Sequence, residues 1–227
     1  MSSKGYGMDA QARGDIRRVT KQNEVVQTET KIVMADPTAL GVFGLSMVTF
    51  VASSQKMGWT TGTEFLLPWA IFLGAIAQIW ASMIDFKNNN YFGAIALGAY
   101  GLFWVAVGTN WAISLGWFGE LSVAADPRQV AFGFLGYFIF SLFITVAAVE
   151  INKVMGAILI LIDFLLISLT LSTLGIQPEL FSKVAAYSEF AISLVGLYGC
   201  GAIFLNKFFG RSILPVGKPL GLIKHNG

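Results

Sequence analysis

MADPTALGVFGLSMVTF, residues 34–50, places an Asp-Pro pair and two glycines at the head of an apolar run. From Pro37 to Gln55 there are 19 residues without a charge, about the length that crosses a bilayer as a helix. Residues that usually interrupt helices therefore open one. Proline at the first helical position costs little, because its missing N–H would be unpaired there anyway. Asp36 just before it is a natural N-cap, with its carboxylate facing the positive end of the helix dipole. Gly41 and Gly44 allow a second helix to come close, which matters in lipid, where the hydrophobic effect does not draw helices together. The stretch reads as the capped start and packing seam of a transmembrane helix.

Five more apolar stretches follow, over residues 65–84, 91–113, 130–149, 154–177 and 184–206. Each is long enough to cross, and each is apolar around its circumference, unlike an amphipathic surface helix. Backbone groups in lipid must be paired internally, so the spans are helices and the fold class is an all-α membrane protein with six transmembrane helices. The links are short and polar, such as DFKNNN at 85–90 and EINK at 150–153. The longest link, residues 114–129, carries Trp117 and Phe118, which suit an interfacial aromatic position. Composition agrees: the 227 residues are 55% hydrophobic and 12% charged, with a mean hydropathy of +0.67, where a soluble domain carries about 25% charge.

The same composition excludes several functions. A net charge of +2, with basic residues scattered, does not suit a nucleic-acid partner. One cysteine, Cys200, rules out an intrachain disulfide and a Cys-rich metal site. The one histidine, His225, lies in the C-terminal tail, so no His-based triad or zinc site is expected in the spans. Gly-x-Gly patterns lie inside apolar spans rather than in a soluble domain, so neither a nucleotide, a metal nor another cofactor is expected, and the chain does not read as an enzyme. The first 36 residues lack the apolar core of a cleavable signal peptide. Three regions follow: a mostly flexible segment over 1–35, the membrane domain over 36–209 and a tail over 210–227. With six spans both termini share a side, which holds twelve Lys and Arg against three, Lys56, Arg128 and Lys183, on the other. The positive-inside rule puts both termini in the cytoplasm, and the chain is expected in the plasma (inner) membrane.

Several short runs recur in one known family. Asp36-Pro37-Thr38-Ala39-Leu40-Gly41-Val42 resembles the signature Asn-Pro-Ala-Pro-Leu-Gly-Leu of the acetate uptake transporter family, the succinate–acetate permeases. FLGAIAQIWASMIDFKNNNYFGAIALGAYGLFW (72–104) is similar to the family's Gly-Gly-x-Ala-Gln run, short polar link and Tyr-Gly-x-Phe-Trp. FGRSILPVG (209–217) resembles its Phe-Gly-Arg-x-x-Leu-Pro-x-Gly ending. Asp36, Ala39 and Val42 depart from the first signature, whose retained members are Pro37, Leu40 and Gly41. The resemblance implies a ring-shaped homohexamer with one pore per subunit, carrying acetate and other short carboxylates, alone or with a proton. A channel for urea or short amides is the alternative reading.

A small carboxylate crossing a bilayer needs polar groups in place of water and a constriction that rejects larger solutes. No Lys or Arg lies inside a span, so the donors are expected from Ser46, Thr49, Gln78, Tyr100 and Asn110. For Gln78 a plain interhelical hydrogen bond competes with a place on the pathway. By position in the resembling motifs, Leu45 and Tyr100 fall at an apolar constriction, and Leu165 is the third member suggested from span five; core packing is the competing reading for all three. Asp163 lies nine residues past Val154, about 14 Å along its helix and near the bilayer midplane. A carboxyl at that depth is costly and makes Asp163 the candidate for a proton-linked role, against a structural hydrogen bond.

Overall fold

Six helices, each long and apolar enough to cross a membrane, account for most of the computed structural model, which describes residues 34–119 and 125–223. They are α1 (Thr38–Lys56), α2 (Leu66–Lys87), α3 (Tyr91–Ser114), α4 (Arg128–Ala148), α5 (Lys153–Thr173) and α6 (Pro178–Phe208). All six spans read from the sequence are present. The segment 1–33, read as flexible, and the tail residue His225 lie outside the described residues.

The opening stretch folds as its chemistry dictates. Asp36 Oδ1 accepts from the Thr38 backbone N–H at 2.9 Å and from the Thr38 hydroxyl at 2.6 Å, so it satisfies the first N–H that Pro37 leaves free. Oδ2 takes the Lys207 ammonium at 2.9 Å, which ties the start of α1 to the end of α6. Both glycines sit at close approaches. A Cβ on Gly41 would meet the Leu97 side chain of α3 at 2.6 Å, and one on Gly44 would collide with the Leu73 carbonyl of α2.

α2 is not a regular α-helix. Trp69–Ala77 is π-helical, between short α-helical ends. Its wider turns set the Leu73 carbonyl against Gly44 of α1 and the Ala75 carbonyl 3.2 Å from where a Cβ on Gly101 of α3 would be. Glycine is the residue that admits such carbonyls, so the wide turn and the glycines on two neighbouring helices go together.

α1 packs between α2 and α6, α5 between α4 and α6, and α3 against α2, while α4 touches α3 only sparsely. α4 is the least covered helix, with 17% of its most apolar window buried against 39–56% for the others. Phe132, Ile139, Leu142 and Phe143 are left on its open face, which needs lipid or another apolar surface. α6 has 31 residues, about 46 Å, and starts six residues before the span read at 184 because Pro178 begins the helix in a polar segment. After α6 the chain folds back. Asn206 Oδ1 receives the Ile213 and Leu214 N–H groups, Tyr198 donates to the Pro215 carbonyl at 2.7 Å, and Leu220 N–H reaches the Val149 carbonyl between α4 and α5. Glu150 accepts from the Gly221 and Leu222 N–H groups, so described residues of the tail belong to the fold.

Candidate functional site

The interior of the bundle holds a cavity of about 150 Å³ between α1, α2, α3 and α5. It begins among Thr38, Asn90 and Ile151, near the helix ends gathered around Asp36, and runs inward to Leu45, Gln78, Tyr100 and Ile162. Thr38 to Leu45 is seven residues, so the cavity is about 10 Å deep along α1. Leu45, Tyr100 and Ile162 are each at most 8% exposed and form its deep end. Buried Val48, Trp104 and Leu166 lie further along the same helices.

Of the three residues read as a constriction, Leu45 and Tyr100 line this cavity. Leu165 does not line this cavity; it is buried in the apolar core, and Ile162, about one helical turn earlier, presents its side chain to the lumen instead. The shift follows from helical geometry, since residues three apart lie on neighbouring but not identical azimuths.

The polar residues sort differently from expectation. Ser46 is fully buried, donates to the Val42 carbonyl at 2.6 Å and packs on Gly196 of α6. Thr49 likewise bonds back to the Leu45 carbonyl at 2.9 Å. Neither lines the cavity, because serine and threonine in a helix can satisfy themselves on the preceding turn. Asn110 lines a separate open pocket of about 490 Å³ between α3 and α4, with Phe103, Gln129 and Tyr137. Gln78 does line the inner cavity. It is fully buried, its Nε2 donates to the Gly74 carbonyl at 2.8 Å, and its Oε1 has no partner.

Asp163 points away from the lumen toward α4. Its Oδ2 accepts from the Thr145 hydroxyl at 2.7 Å, and its carboxyl faces Ser141. Oδ1 makes no bond within 3.5 Å. Ser141, fully buried, accepts from the Tyr100 hydroxyl at 2.8 Å. Two hydrogen-bonded pairs, Tyr100–Ser141 and Thr145–Asp163, thus lie one helical turn apart on α4 and tie it to α3 and to α5. Sequence reasoning missed Ser141 and Thr145, because the pairing joins residues 41 positions apart and α4 has no polar face to announce it.

Charged groups gather at the two ends. Near the cavity mouth Asp85 is 1% exposed, accepts from Asn90 at 3.0 Å and lies against Gly93, where a Cβ would collide with it. Partial burial favours neutral Asp36, but the Thr38 bonds and the Lys207 ammonium outweigh it and hold its carboxyl below the usual range. At the other end Lys56 and Glu189 pair at 2.8 Å, with Glu189 buried, and bind α1 to α6 beside the stacked Phe50 and Phe190.

Known proteins share this sequence and architecture. A model of the GPR1/FUN34/yaaH family matches residues 19–216. The succinate-acetate/proton symporter SatP of Escherichia coli is 28% identical over 193 residues, covering 82% of this chain and 96% of its own. Acetate permease A of Emericella nidulans is 26% identical over 204 residues, covering 80% of this chain and 65% of its own. A solved structure described as that of the bacterial acetate channel SatP superposes with a TM-score of 0.75 at 23% identity, covering 82% of this chain and all of that one.

Proposed function

The chain belongs to the GPR1/FUN34/yaaH family, and from that premise we propose that it carries acetate and other short carboxylates across a bilayer through a narrow path inside each subunit. The observation that supports this most is the inner cavity, closed at its deep end by Leu45, Tyr100 and Ile162. At about 150 Å³ it exceeds several times the roughly 10–15 Å³ that one water needs, so a small acid and a few waters fit. The apolar neck selects by size, and conduction requires its side chains to part briefly. The names of two relatives, SatP and acetate permease A, support carboxylate cargo.

We read the assembly as a homo-oligomer of six, in which copies cover the open face of α4, and the membrane as the plasma (inner) membrane with both termini cytoplasmic. The test of function is entry of labelled acetate, butyrate and urea into vesicles carrying the purified protein. Acetate entry above that of protein-free vesicles, falling with chain length, is expected. Urea entry without acetate entry would replace this reading with the neutral-solute channel.

A further inference from the structure

The seam between α3 and α4 is sparsely packed, and two tyrosines fasten it in opposite directions. Tyr137 of α4 donates to the Ala99 carbonyl at 3.0 Å, and its ring meets Phe103 edge-on at 5.0 Å between centroids. Tyr100 of α3 donates to Ser141 Oγ at 2.8 Å. Tyr137 and Ser141 lie one turn apart on α4, so the two fasteners are neighbours. They serve different places. Tyr137 lines the open pocket between α3 and α4, whereas Tyr100 lines the inner cavity at its deep end.

The neck has three walls, and one of them is anchored at its tip. Leu45 and Ile162 are aliphatic, so no hydrogen bond fixes their rotamers. A tyrosine ring is long, and with a free hydroxyl it can settle in any staggered well that its neighbours leave open. The bond to Ser141 ties down its far end. Tyr100 is 5% exposed and Ser141 is fully buried, so drawing the hydroxyl away from Ser141 breaks a buried hydrogen bond. A ring held at both ends is a fixed wall; a ring held at Cα alone is a movable one.

We propose that Ser141 is a positioning residue for the neck: by receiving the Tyr100 hydroxyl it holds that ring as a wall of fixed place, and so sets how wide an acid the path admits. This rests on the reading of the inner cavity as a carboxylate path and adds the residue that fixes its bore. Ser141 is not among the residues that line the cavity, so it acts through Tyr100 and not on the cargo. An acid narrow enough to pass the tethered ring leaves the bond intact, with Leu45 and Ile162 supplying the give. A wider acid must displace the ring, break the bond and meet a higher barrier. The Tyr137 fastener remains when Ser141 is changed, which keeps α4 docked on α3.

The test reads cargo width with the full-length protein in vesicles. Entry of labelled acetate and of isobutyrate, whose branch makes it wider at the same charge, is timed for parent and variants after subtraction of protein-free vesicles. Ser141→Ala should raise the isobutyrate-to-acetate ratio about threefold or more, the size of effect that one hydrogen bond commands. Tyr100→Phe keeps the ring and removes the same bond from its other side, so it should give the same rise. The double variant should rise no further, because both changes delete one interaction. Tyr137→Phe cuts the other fastener and should leave the ratio at the parent's value. A ratio at or below the parent's in either Ser141→Ala or Tyr100→Phe overturns the proposal. So does a double variant whose rise is the product of the two single ones. An equal rise in Tyr137→Phe overturns it too, since any loosening of the seam would then widen the neck. If Ser141→Ala does not insert, Tyr100→Phe decides alone. Absence of protein-dependent acetate entry by the parent would instead overturn the functional reading, and this inference with it.

Discussion

Leu45, Tyr100 and Ile162 close the inner cavity with three side chains of different shape, so on the proposed path truncating any one should change size selection more than stability of the bundle's ends. Ile162→Ala and Tyr100→Ala should raise butyrate entry relative to acetate by about tenfold or more, read in the same vesicles; Leu165→Ala, in the core, should cost about 2–5 kcal/mol of stability and leave the ratio unchanged. Asp36 carries a second prediction. Asp36→Asn keeps an oxygen for the Thr38 N–H and loses the pairing with Lys207, which is 66% exposed, so the loss should be at most about 1 kcal/mol. The carboxyl's value is lowered in the fold, so its contribution is present above the unfolded value of about 3.9 and vanishes as pH falls through the lowered one. Parent and Asp36→Asn melting temperatures should differ at pH 6–7 and converge below about pH 3. The cap was legible from Asp-Pro alone. The lumen-facing set was not, because helices apolar on every side carry no period that marks a face, which is why Ser46 and Thr49 were placed on the pathway and Ile162 was not.

At the scale of elements, spans were legible because charge-free runs of about 20 residues have few alternatives in a chain this apolar, and their ends were fixed by the polar links. The early start of α6 and the π-helical middle of α2 were not legible, since both depend on what packs alongside. The helices differ in how tightly their glycines are held. A side chain at Gly44 or Gly196 meets α2 backbone or Ser46, whereas Gly133 and Gly136 on α4 face open space. Gly44→Ala and Gly196→Ala should lower stability by about 1–3 kcal/mol, seen as lower melting temperature in detergent, while Gly133→Ala and Gly136→Ala in the isolated subunit should not. If the latter pair instead disrupts assembly without affecting the subunit, a neighbouring copy covers α4.

For the whole molecule, the proposed orientation rests on the distribution of Lys and Arg between the two ends of the bundle. Labelling of single cysteines placed at Glu64 and at Gly210 should reach the first from outside and the second only after permeabilisation, and native mass spectrometry should find six copies. The wide turns of α2 carry one more consequence, for how such a molecule tolerates insertions and deletions over generations. A π turn closes over one residue more than an α turn, so the stretch 69–77 holds slack that a deletion can take up without breaking the helix. Removing exposed Phe72 would let the stretch close as a regular spiral and leave the residues after it close to their present azimuths, whereas removing exposed Trp80 from the α-helical part would rotate everything after it by about 100°. The first variant should keep Asp85 against Gly93 and still carry acetate, and the second should insert and carry none, both read as acetate entry into vesicles. Lineages of this protein should therefore lose a residue within 69–77 more readily than within 78–87.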